Sequence, residues 1–102
     1  MSIRNSEVIK SWKSGKRAMN GRKSLWTDGT WLYSYKLKVG FRTSSGICVL
    51  GNYTSSGVYY SQTTSCHIGR VRVAVSSELI WHPAVFEASR DAFLNDIVPS
   101  KE

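Results

Sequence analysis

His67 is one of two histidines in the chain, and it closes a polar run, Tyr60-Ser61-Gln62-Thr63-Thr64-Ser65-Cys66-His67. If a strand ends near Gln62 and a helix begins near Ser65, three hydroxyls and an imidazole surround a helix N-terminus. Unpaired backbone N–H groups and the helix dipole favour an anion there. Arg70, one turn further on, adds a charge-assisted contact. Thr63, Thr64, Ser65, His67 and Arg70 therefore form a candidate phosphate site. The same residues also suit plain helix capping, with His67 bonded to a neighbouring carbonyl. A third reading is catalytic. Metal-independent RNA cleavage needs a proton acceptor, a proton donor and a cation on the phosphate, and His67, Tyr60 (or Tyr33) and Arg70 are of those types. The second histidine, His82, precedes Pro83 and marks a helix start. There are no paired carboxylates, nucleophile elbow or phosphate-binding glycine loop. The two cysteines, Cys48 and Cys66, lack metal-ligand spacing, so no metal or cofactor is expected and enzyme activity has no support.

The second chemical signal is charge. Fourteen Lys and Arg against seven Asp and Glu leave +7. Residues 1–42 carry ten bases against Glu7 and Asp28, or +8, whereas residues 43–102 carry four bases against five acids, or −1. Such a field draws polyanions or acidic protein surfaces, and equally serves solubility alone. Lys36, Lys38 and Arg42 recur at strand spacing, roughly 7 to 14 Å apart. Lys10, Lys13, Arg17, Arg22 and Lys23 extend that set into a candidate phosphate-tracking stripe for DNA or RNA. Strand lysines also guard sheet edges against aggregation.

The elements that must carry these groups are legible in outline. Asn5 to Lys16 is predicted as a helix capped by Asn5 or Ser6, with Val8, Ile9 and Trp12 on its core face. Ala18 to Ser24 is expected to be a polar connection. Trp31, Tyr33, Tyr35, Leu37, Val39 and Phe41 alternate with Leu32, Ser34, Lys36, Lys38, Gly40 and Arg42, which predicts one long strand with one buried face. Asp28-Gly29 makes a hairpin turn from Leu25-Trp26. Trp26 and Trp31 flank it; if exposed near the tip they could stack on bases or anchor a partner, and packing under the sheet is the preferred reading for Trp31. Ser45-Gly46 turns into Ile47-Cys48-Val49-Leu50, and a break at Thr54 to Gly57 precedes a strand at Val58 to Ser61. Residues 64–75 fit helix or strand, with a helix from near Ser65 preferred, and Ser77 to Trp81 a short final strand. Pro83 opens a helix from about Ala84 to Val98, with Val85, Phe86, Ser89, Ala92, Phe93 and Ile97 on one side. The expected class is α+β, a single domain over 1–102, with an antiparallel four- to five-stranded meander covered by N- and C-terminal helices.

Two stretches are unlike generic filler. Asn20-Gly21 leads through Thr27-Asp28-Gly29 to Leu32-Tyr33-Ser34-Tyr35, and Tyr60-Ser61 leads through Thr63-Thr64-Ser65 to His67. Together they resemble a group of short, uncharacterised bacteriophage proteins that pair N-G…T-D-G-x-x-L-Y-S-Y with Y-S-x-T-T-S-x-H, over roughly residues 20–70. The resemblance implies a viral protein made in the cytoplasm of a bacterial host, and no particular activity. From the basic residues, its partner is expected to be DNA or RNA; the resemblance and the large aromatic share support the alternative, an acidic host protein blocked by occupancy. No apolar run reaches the length of a membrane span, and Met1-Ser2-Ile3-Arg4-Asn5 has no secretory character. Free thiols are accordingly expected at both cysteines.

Overall fold

A computed structural model describes residues 4–55 and 57–98. The first helix, α1 (Asn5–Lys13), buries Val8, Ile9 and Trp12, as its apolar spacing requires. Its N-cap is Arg4, in extended backbone, rather than Asn5 or Ser6. It stops short of Lys16 because Gly15 turns left-handed at φ +74°, where Gly15 N donates to Trp12 O and Lys16 N to Ser11 O. The Arg42 guanidinium then donates from Nε to the Lys13 carbonyl, 3.1 Å away.

Six strands follow in one sheet, ordered as in the chain: β1 (Arg17–Met19), β2 (Leu25–Asp28), β3 (Trp31–Ser34), β4 (Leu37–Arg42), β5 (Cys48–Gly51) and β6 (Ile80–Trp81). The α+β class and the antiparallel meander hold for β1 to β5, while β6 joins β5 in parallel. The expected polar connection therefore contributes a strand at its start. The Thr27-Asp28-Gly29 motif builds the β2–β3 turn. Thr27 Oγ1 accepts from Gly29 N and donates to Trp31 O, and Asp28 Oδ1 accepts from both Thr30 N and Trp31 N.

The single strand expected over residues 31–42 is instead a hairpin. Tyr35 and Lys36 form its turn, Ser34 pairs with Leu37, and Tyr35 adopts φ +56°. A two-residue turn inverts which face each successive side chain meets, and an irregularity near Leu32/Tyr33 inverts it again. The alternation survives unbroken because helices bury both faces of this sheet, so either parity keeps a ring or a leucine out of water. On one face α1 packs Trp12 against Gly40, and the helix α2 (Gln62–Val71) meets Ser34. On the other, Phe93 gathers Trp31, Phe41, Trp81 and Phe86 with ring centroids between 4.6 and 6.1 Å. Trp31 is thus core.

Two further expectations fail. Val58 to Ser61 forms no strand; Val58, Tyr59 and Tyr60 are exposed, and the expected break before them includes residue 56, outside the described residues. The C-terminal helix is two short ones, α3 (Pro83–Ala88) and α4 (Arg90–Leu94). Ser89 divides them, its Oγ donating to the Val85 carbonyl at 2.8 Å, and the bend lets Phe86 and Phe93 both reach the core while Val85 and Ile97 stay exposed. His82 caps α3 through Nδ1 and Pro83 occupies its first turn. Ser77–Leu79 is a 3-10 turn, leaving only Ile80–Trp81 as strand. Asp96 ties the tail to the β4–β5 turn by accepting from the amide and hydroxyl of Ser44.

Candidate functional site

Asn20 organises one wall of a cleft. Its Oδ1 accepts from Ser24 N at 2.9 Å and Leu25 N at 3.3 Å, while its Nδ2 donates to Asn5 Oδ1 at 2.7 Å and Ser24 Oγ at 3.0 Å. These bonds tie the β1–β2 loop to the start of α1. Helix α2 supplies the facing wall. Between them lies an open cleft of about 1000 Å³ whose lining includes Arg4, Arg22 and Arg70, together with His67 and Cys66. Among the described residues no carboxylate lines it; Glu7, in the first turn of α1, accepts instead from the Arg4 backbone N–H at 3.4 Å. A lining with three arginines and several amide and hydroxyl side chains, and no competing anion among the described residues, suits a phosphate-bearing ligand.

Beneath the cleft runs a buried polar chain. Ser61 caps α2, its Oγ accepting from Thr64 N at 3.2 Å, and the same hydroxyl donates to Thr64 Oγ1 at 3.1 Å. Thr64 Oγ1 lies 2.9 Å from Ser34 Oγ, which lies 2.8 Å from His67 Nδ1. Ser34 and Thr64 are fully buried and His67 is 3% exposed. The two motifs singled out above thus meet in space: Ser34 comes from Tyr33-Ser34-Tyr35, and Thr64 and His67 from the later run.

Burial, and then the neighbouring Arg70 charge, hold the His67 imidazole below its ordinary value of 6.5. The unfolded chain therefore binds the proton more readily, so stability from this group is complete above about pH 6.5 and declines as the pH falls toward the lowered folded value. Urea denaturation at pH 7.5 and pH 5.5 is expected to show that loss, and His67→Gln to remove it. Asp96, held below its ordinary 3.8 by the bonds from Ser44, loses its support only in more acid solution.

The predicted anion residues are only partly united. Thr63, His67 and Arg70 line the cleft. Thr64 turns inward to Ser34, and Ser65 is not on the wall, because α2 begins at Gln62 rather than near Ser65. Of the catalytic types, Tyr60 is 60% exposed and outside the cleft. The predicted cationic stripe is dispersed. Arg22 enters the cleft, while Lys10 and Lys13 flank a second groove on α1. Lys36 stands in the β3–β4 turn, and Lys23 is exposed in its loop at φ +60°. Lys38 shares Tyr33's face, 4.6 Å above the Trp31 ring, and Arg17 pairs across from Asp28 at the sheet margin. Arg42 is spent on the Lys13 and Thr43 carbonyls. Trp26 stacks on Tyr33 at 3.9 Å instead of standing free.

Arg4 and Asn20 on the cleft wall, and Ser34 beneath it, are positions that residue types alone did not single out. Both Asn20 and Ser34 lie within the first motif; for Ser34, a small polar residue between Tyr33 and Tyr35 was the available signal. Cys48 and Cys66 are free thiols, buried and exposed respectively. Among the described residues no group of His, Cys, Asp or Glu is arranged to hold a metal, and no helix is long and apolar enough to cross a membrane. No family model, curated protein or solved structure matches the chain.

Proposed function

We propose that this protein binds nucleic acid, DNA or RNA, by seating backbone phosphates in the cleft between α1, the β1–β2 loop and α2. The observation that carries this reading is the presence of Arg4, Arg22 and Arg70 in the lining of one cleft that, among the described residues, has no carboxylate. Guanidiniums read phosphate by paired N–H donors and carry no base preference, so binding is indifferent to sequence. The +8 of residues 1–42 adds long-range attraction. The resemblance to bacteriophage proteins supports a setting for this activity in the cytoplasm of a bacterial host.

Fluorescence anisotropy with labelled single strands tests the reading. Three neutralised phosphates give a log–log salt slope of about −2 on a single strand. The combined Arg4→Ala, Arg22→Ala, Arg70→Ala variant is expected to lose about 100-fold in affinity, given the strength of hydrogen bonds to charged groups. Absence of micromolar binding at about 50 mM salt, or equal binding by the variant, defeats the proposal.

A second reading has one observation in its favour. A groove of about 370 Å³ between α1 and the end of α2 sets Ile9, Val73 and Ala74 among Lys10, Lys13 and Arg70, a surface suited to an acidic host protein. Capture of one partner that survives nuclease treatment and is lost on Val73→Asp supports it; loss of all partners with nuclease removes it.

A further inference from the structure

We infer that His67 is a fixed, neutral hydrogen-bond donor in this cleft: the hydroxyls of Ser61, Thr64 and Ser34 act as a one-way relay that holds its imidazole in the Nε2–H form, with that N–H offered to a phosphate oxygen of the bound strand. The choice of ligand rests on the nucleic-acid reading above; the direction of the relay does not.

The direction follows from counting protons. Each hydroxyl has one to give. Thr64 Oγ1 accepts the proton of Ser61 Oγ. Thr64 is fully buried and, among the described residues, its one other hydrogen-bond contact through Oγ1 is Ser34, so its own proton goes to Ser34 Oγ. Ser34 is fully buried too, and its remaining neighbour is His67 Nδ1, so its proton goes there. Nδ1 is then the acceptor, and the ring proton resides on Nε2. The reverse order would have Nδ1–H donate to Ser34 and Ser34 donate to Thr64. Thr64 Oγ1 would then receive two protons and hold a third that points at nothing in a water-free interior, an arrangement proteins avoid. Aligned in one direction, successive hydroxyls also polarise one another.

With Nδ1 turned into the core, Nε2 is the ring nitrogen left for the cleft that His67 lines. A neutral donor beside three guanidiniums adds reach toward a phosphate oxygen without adding to their mutual repulsion. The same assignment bears on cleavage chemistry. A general base acting through Nε2 needs a free lone pair there, and this relay places a proton in its stead.

The test uses the full chain with 15N-labelled histidine. Long-range 1H–15N spectra at about pH 7.5, above the ordinary histidine range, are expected to show His67 Nε2 protonated and Nδ1 bare. The opposite pattern overturns the relay. Ser34→Ala is expected to convert the single form into a mixture; an unchanged single form also overturns it, and the measurement on the unaltered chain decides the matter if that variant does not fold. Addition of a single-stranded oligonucleotide is expected to shift Nε2 well beyond Nδ1, and an unmoved Nε2 at saturation refutes the contact. His67→Ala is expected to weaken binding about tenfold, with His67→Gln, whose amide N–H reaches a similar point, restoring most of it; equal loss in both variants counts against a donor role. If the unaltered chain binds no oligonucleotide, the nucleic-acid reading and the contact fall together. An Nδ1–H spectrum sinks the relay and leaves that reading standing.

Discussion

Phe93→Ala is expected to destabilise the protein by about 3–5 kcal/mol, the range for deleting a buried ring whose neighbours cannot collapse into the space. Phe93 is 1% exposed and is the common member of the aromatic cluster under the sheet. It stacks on Phe41 at 4.6 Å, lies 5.4 Å from Phe86 and 6.1 Å from Trp81, and meets Trp31 edge-on at 6.0 Å. Its partners come from β3, β4, β6 and α3, so relaxation of one toward the void strains another. A domain of this size has a total stability of about 5–15 kcal/mol, so the variant should unfold at a much lower urea midpoint with an unchanged slope. A change below about 1 kcal/mol would show that α4 is not seated on the sheet as described.

Gly40→Val is expected to be comparably severe by the opposite route, overfilling. A Cβ at Gly40 would stand 2.8 Å from Trp12 Cζ2, 3.0 Å from Trp12 Cη2 and 3.1 Å from the Leu32 Cβ. Trp12 cannot retreat: it is fully buried, and its indole Nε1 donates to the Thr30 carbonyl at 3.0 Å. The cost is steric, and a β-branched side chain, ordinarily welcome in a strand, becomes a wedge between β4 and α1. Overpacking costs about 1–3 kcal/mol and more where neighbours are pinned, which corresponds to a fall in melting temperature of about 10 °C or more. Gly40→Ala should fall between the parent and the valine variant. Melting curves that overlay the parent's would mean that α1 does not rest on Gly40.

Much of this architecture was legible before any coordinates, and the exceptions share a cause. The face of α1 read true because Val8, Ile9 and Trp12 have one helical period and one place to go. The hairpin after Leu25-Trp26 was legible because its side-chain bonds are local, although the turn residues are Gly29-Thr30, one position on, with Asp28 the last residue of β2. The hairpin at Tyr35-Lys36 was not, because its turn contains no glycine, asparagine or proline to announce it, and a sheet buried on both faces removes the penalty that normally exposes a change of parity. The cleft was half visible. His67 and Arg70 were found from residue type and helix spacing, but Arg4 and Arg22 join them only through the Asn20 bonds between two elements distant in sequence. Lys38 and Arg42, matched by spacing, are separated by the register irregularity and by Arg42's role at the end of α1.

The parallel pairing of β6 with β5 has a consequence for biosynthesis. Strands β1 to β5 are connected by turns of a few residues, so their ladders close as the polypeptide leaves the ribosome. The partner for the outer margin of Cys48–Gly51 arrives only with Ile80–Trp81, and the helices that roof Phe41 arrive later still. A nascent chain therefore passes through a stage with a finished hairpin array, one unprotected ladder and a bare aromatic face, the combination that invites self-association. Slow closure of long loops prolongs that stage.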